Sequence, residues 1–225
     1  MKNPFKYLNK TDVTIWVSSL STILITFFVF GGNALSVISS LLGVTTLIFM
    51  AKGVIFAQVL TILFALFYGI VSLTYKYYGE MITYVFMALP MAVLSLISWL
   101  KHPYKDTKVV EVQTPSKKSV LILFALSIVV TAIFFFILRA LKTPNLAVST
   151  ISITTSFIAA GLSFLRSPYY AIAYCFNDVI LIILWLFASF NDISYVPLVS
   201  CFAVFLFNDL YGFVSWNKIK NSQKE

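Results

Sequence analysis

Two stretches of this chain carry the same pattern. Phe176-Asn177-Asp178 is followed by Trp185, seven residues beyond its aspartate, and Phe207-Asn208-Asp209 by Trp216, again seven residues on. Seven residues is close to two helical turns, so in each stretch the aspartate and the tryptophan share a face. The surrounding residues are apolar, and a carboxylate in mid-span costs about 2.5–3.5 kcal/mol on insertion scales. Asp178 and Asp209 are therefore the first candidates for a site. The chemistry is binding: the chain has no glycine-rich phosphate loop, no Cys or His metal spacing, no Ser and His pair, and no glycine-rich sequence after either aspartate such as an intramembrane protease needs. Nothing asks for a cofactor.

The elements that position these residues follow from composition. Of 225 residues 60% are hydrophobic and 11% charged, with 22 Phe and 12 Tyr, and the mean hydropathy is +0.94. An average soluble domain is roughly 45–50% apolar and 25% charged, so lipid tails must serve as the solvent. Apolar runs long enough to cross about 30 Å cover Thr14 to Gly31, Ala34 to Ala51, Val54 to Thr74, Met81 to Leu100, Ser119 to Leu141, Leu146 to Leu165, Tyr169 to Phe190 and Val196 to Trp216. Each must be helical, because only a helix satisfies its own backbone in hydrocarbon. The expected class is thus an all-α integral membrane protein of eight transmembrane helices. Lys2, Lys6 and Lys10 before the first run resemble a signal peptide, but no cleavage site follows and the helix is read as retained.

Charge sets the orientation. With the N-terminus in the cytoplasm, the inner side receives thirteen of the sixteen basic residues, and only Lys76, Arg139 and Lys142 fall outside. The positive-inside rule demands this asymmetry. The net charge of +8 then reports topology and not a nucleic-acid partner, since the charges are spread over short loops. Asp178 lies nine residues from Tyr169 and Asp209 seven from Trp216, which places both roughly 10–14 Å above the inner surface at about 1.5 Å per residue. Gln58 and Pro90 fall near the same level, and a proline there frees a carbonyl and kinks its helix. Cys175 and Cys201 read as small packing residues, and His102 as a solvated loop residue.

Shifting the chain by 117 residues aligns Ser72 with Ser189, Tyr78 with Tyr195, Ser98 with Ser215, Trp99 with Trp216 and Lys101 with Lys218, and sets Tyr68 opposite Trp185. The expected organisation is an N-terminal segment and extra helix over 1–33, a three-helix unit over 34–100, a cytoplasmic loop over 101–118, a linking helix over 119–142, a second three-helix unit over 145–216 and a tail over 217–225. One helix between the units makes the repeats parallel, as in several transporter folds with substrate at the repeat interface. Asn177, Asn208 and Gln58 read either as ligand contacts or as interhelical hydrogen-bond glue. Trp99 and Trp216, beside lysines, read as interface anchors, and Trp185 as either a belt residue or a binding platform.

The chain resembles the PnuC family of vitamin transporters. The resemblance rests on Tyr78-Gly79-Glu80 leading into a span that closes on Trp99, Leu165-Arg166 before the aromatic start of the seventh helix, Asn177 with Trp185, and Asn208 with Tyr211-Gly212 closing on Trp216. It covers most of the chain from Ala34 onward. In the first half Leu94-Ser95 stands opposite Tyr211-Gly212, and Gln58 stands where the family often has Asn. The resemblance implies an N-terminal helix plus a 3+1+3 parallel repeat of the PnuC and SWEET kind, in the bacterial inner membrane with both termini cytoplasmic. It also implies uptake of nicotinamide riboside by facilitated diffusion, trapping by a cytoplasmic kinase, and a homotrimer. Gln58, Tyr68, Asn177, Asp178, Trp185, Asn208, Asp209 and Tyr211 are the expected substrate contacts. Thiamine, riboflavin or deoxynucleosides as cargo, proton coupling through an aspartate, and a binding component of a larger assembly remain alternatives.

Overall fold

The computed structural model describes residues 4–224; Lys2, counted above with the inner basic residues, lies outside them. Among the described residues eight helices are long and apolar enough to cross a membrane. They are α1 (Lys10–Phe30), α2 (Ala34–Ala51), α3 (Phe56–Thr74), α4 (Tyr78–Lys101), α5 (Lys117–Ala140), α6 (Leu146–Phe164), α7 (Tyr169–Ser189) and α8 (Val196–Ser222).

Where these bounds depart from expectation, local chemistry explains it. The first helix starts at Lys10 and not Thr14, because Asn9 and Asp12 form a reciprocal capping box. Val54 stays outside α3 because it pairs with Val109 of the long loop. Beyond Trp216, α8 continues to Ser222, so most of the expected tail is helical. In α4 the backbone widens into a π-turn over Tyr84–Ala88, where the Leu89 N–H reaches the Tyr84 carbonyl. The cause is Pro90, which has no N–H to donate and whose ring crowds the preceding turn.

Neighbour relations close a ring of six helices, in the order α2, α3, α4, α6, α7, α8 and back to α2. Against its outside lie α1, on α2 and α8, and α5, on α6. Only 17% of the apolar window is buried in α1 and in α5, against 56% in α2. The ring interior holds two large apolar clusters. One lies at the end where α3 and α7 finish, with Tyr68, Tyr84, Trp185 and Phe202. The other lies at the end of the long loop, with Phe49, Trp99, Tyr170 and Trp216.

A polar seam holds α1 to the ring. Asp12 is fully buried, sits 2.9 Å from the Lys52 ammonium, and accepts a hydrogen bond from the Tyr211 hydroxyl. Further along, Trp16 Nε1 donates to Thr45 Oγ1 at 3.1 Å and Asn208 Nδ2 to Ser19 Oγ at 2.9 Å. Asp12→Asn keeps an acceptor for Tyr211 but leaves Lys52 without its counter-charge. Breaking a buried pair from one side costs about 3 kcal/mol or more. A clearly lowered melting temperature in detergent is expected, and an unchanged one would mean that the ion pair does not secure α1.

Candidate functional site

Between the two apolar clusters the ring encloses a cavity of about 90 Å³ to which all six ring helices contribute. Asp178 and Asp209 face it from α7 and α8, each only 3% exposed. The antiparallel pairing of these helices sets the two carboxyl groups close to each other on the cavity wall. Among the described residues no Lys, Arg or His lines the cavity.

Two amides complete the polar side, with opposite polarity. The Asn177 oxygen accepts from the Thr155 and Ser156 hydroxyls at 2.9 and 2.8 Å, leaving its NH2 to serve a ligand as donor. Gln58 donates through Nε2 to Ser163 Oγ at 3.1 Å and to the Met50 sulfur at 3.5 Å, leaving its oxygen as an acceptor. Another part of the wall is aromatic. Phe64 meets Tyr84 at 6.0 Å and Phe205 at 5.7 Å, both edge to face. The Phe205 ring reaches over the cavity because α2 carries Gly43 there, where a Cβ would stand 2.2 Å from the ring tip. One carboxyl pair, complementary amides and flat apolar faces can hold a planar, positively charged ring that bears hydrogen-bonding groups.

Both ends of the cavity are shut. Above it Tyr84 leans on Tyr68 at 4.3 Å, the Trp185 indole donates to the Tyr68 hydroxyl at 2.8 Å, and Tyr77 and Tyr195 cover Trp185 at 4.8 and 5.6 Å. Below it Trp99 and Trp216 meet at 5.5 Å. The Trp99 indole donates to the Ser163 carbonyl at 3.0 Å and the Trp216 indole to the Met50 carbonyl at 2.6 Å. Each tryptophan thus caps a helix of the opposite half of the chain. The reading of Trp99 and Trp216 as lipid-interface anchors is corrected: both are fully buried, because last-turn carbonyls of α6 and α2 offer their N–H groups a partner inside.

Of the eight expected contacts, Gln58, Asn177, Asp178 and Asp209 share the cavity wall. Tyr68 and Trp185 stand one layer behind it, bonded to each other. Asn208 and Tyr211 turn toward Ser19 and Asp12 of α1. One residue of helix turns the side chain by about 100°, so Asn208 faces away from the direction Asp209 takes. Tyr84, Phe64, Ser156 and Ser163 were not legible as site residues. Only the π-turn next to Pro90 marks Tyr84, and serines are common packing residues of membrane helices. A fourth buried carboxylate beside Asp12, Asp178 and Asp209 is Glu80, which lies off the cavity, where one oxygen accepts from Ser152 Oγ at 3.3 Å and the other has no partner.

Comparison with known proteins gives a concordant result. A family model described as nicotinamide mononucleotide transporter matches residues 33–218, from the residue before α2 to the last turns of α8. The nicotinamide riboside transporter PnuC of Neisseria mucosa is 25% identical over 211 residues, covering 91% of this chain and 80% of that protein. A crystal structure of the vitamin B3 transporter PnuC aligns with a TM-score of 0.82 over 96% of this chain and 94% of that one. At 22% identity that likeness is one of fold.

Tyr68→Phe tests the upper closure. It removes the acceptor of the Trp185 N–H, and an orphaned buried donor costs about 1–3 kcal/mol. The variant should melt measurably below the parent, and equal melting temperatures would mean that water reaches the indole.

Proposed function

This chain belongs to the nicotinamide mononucleotide transporter family, and we propose that it carries nicotinamide riboside, not the mononucleotide, across the bacterial cytoplasmic membrane. The observation that carries this reading is the charge of the cavity, with two aspartates and no basic side chain among the described residues. Nicotinamide riboside is a pyridinium cation on a neutral sugar. The mononucleotide adds a phosphate, which would enter a carboxyl-lined, water-poor space with no cation to meet it. The Phe64, Tyr84 and Phe205 faces suit the ring, and the Asn177 and Gln58 amides suit the ribose hydroxyls and the carboxamide.

The end that carries Trp99 and Trp216 is the cytoplasmic one in this reading, supported by the twelve described basic residues of the expected inner side. Both termini are then cytoplasmic. The two three-helix units are parallel repeats, supported by residue pairs 117 apart that meet at both closures: Tyr68 with Trp185, and Trp99 with Trp216. Transport proceeds by alternating access, in which one closure parts while the other holds. The carrier equilibrates its cargo, a separate cytoplasmic kinase retains it by phosphorylation, and the unit assembles as a homotrimer.

Titrating purified protein with nicotinamide riboside, its mononucleotide and thiamine tests the cargo. The riboside should bind at least about ten-fold tighter than the mononucleotide, a difference of about 1.4 kcal/mol. Equal affinity for the two would overturn the reading, and tighter binding of thiamine, another flat cation, would reassign the cargo within it. Asp178→Asn and Asp209→Asn should each weaken riboside binding by about 10- to 100-fold, the scale of one charge-assisted contact. Variants that are more stable and bind equally well would remove the aspartates from the site. In liposomes, uptake should stop at equal concentrations on both sides. Accumulation beyond that under an inward proton gradient would favour coupling.

A further inference from the structure

The segment between the two halves, residues 102–116, is tied across the cytoplasmic end of the bundle. Its first part is anchored to the turn after α2: the Ile55 N–H donates to the Lys108 carbonyl at 2.9 Å, and the Val110 N–H to the Gly53 carbonyl at 2.8 Å. Val110 is fully buried in the same cluster as Trp99 and Trp216. Three residues on, the Gln113 N–H donates to the Arg166 carbonyl at 3.0 Å, in the turn after α6.

These two turns are built alike. Gly53 and Arg166 both adopt left-handed backbone, with φ of 63° and 58°. Their N–H groups bond back to Met50 and Ser163, both at 2.9 Å, and those are the carbonyls that Trp216 and Trp99 cap. One short strap therefore joins the two corners that the tryptophan pair closes. Parting the tryptophans means moving the corners apart, and the strap spans that line.

The two attachments differ in kind. At Gly53 the strap is held by the buried Val110, and Gln223, the residue that follows α8, clamps it by accepting from the Val112 N–H at 2.8 Å and donating to the Val110 carbonyl at 3.0 Å. At Arg166 the attachment is polar: the guanidinium donates to Gln113 Oε1 at 2.7 Å and pairs with Glu111 at 3.7 Å. Glu111 is 59% exposed, so water competes for that pair.

Resting on the carrier reading above, we propose that this strap is the cytoplasmic latch: residues 111–113 release Arg166 each time the cavity opens inward, while residues 108–110 stay on Gly53. The release step limits inward opening and leaves the cavity itself unaltered.

The test uses the full chain with Cys175 and Cys201 replaced by alanine. Gln113→Cys and Arg166→Cys are introduced together to close the latch covalently, with Ser95→Cys in the cavity wall as a reporter. In inside-out vesicles the oxidised protein should shield the reporter from a thiol reagent and transport no riboside, and reduction should restore both. Labelling or transport that persists in the oxidised form overturns the latch. Should no disulfide form, Gln113→Ala with Glu111→Gln should raise the labelling rate of the reporter by about ten-fold, the loosening of one charge-assisted bond, and an unchanged rate overturns it equally. Reporter labelling needs no ligand, so a protein that fails to bind riboside yet shows latch-dependent labelling refutes the cargo and keeps the latch.

Discussion

Hydrocarbon offers a buried N–H or carboxyl group no water to turn to, and the internal arrangement of this chain follows from that constraint. Tryptophan shows it most directly. Three of the four are fully buried, and each indole N–H finds a partner inside: the Tyr68 hydroxyl, the Ser163 carbonyl and the Met50 carbonyl. Satisfying those donors brings the two halves of the chain together above and below one cavity. The closures are hydrogen-bonded seams as much as apolar plugs, and a seam of few bonds can part and reform.

The same constraint separates the two Asn-Asp motifs. Both aspartates face the same cavity from α7 and α8. The asparagines next to them diverge. Asn177 finds two hydroxyls on α6 and stays on the cavity wall. Asn208 finds Ser19 and helps to hold α1. An asparagine that repeats in sequence thus lines the cavity in one copy and attaches a helix in the other, according to which helix lies alongside.

Charge outside the slab completes the picture. Lys52 answers Asp12 at the foot of α1, and Arg166 meets Gln113 and Glu111 where the strap crosses α6. Burial lowers the pKa of the Arg166 guanidinium and Glu111 raises it, which sets that corner apart from the apolar one at Gly53. Of the elements that join the halves, the strap is the one on the aqueous side, where contacts exchange with water.

Apolar run length and the cost of bare backbone in lipid settled eight helices from sequence, because both are local properties of the chain. The aspartates also stood out locally, since a charge in mid-span needs a reason wherever it falls. Which polar groups meet was decided only in three dimensions. Gln58 reaches Ser163 across 105 residues of chain and Tyr211 reaches Asp12 across 199, and no periodicity encodes such separations. Trp185 as a lid behind Tyr68, Trp99 and Trp216 as buried caps, and Tyr84 on the cavity wall all depend on which helix stands next to which. Spacing along a helix gives the direction of a side chain, and the neighbour it meets is set by the closing of the ring.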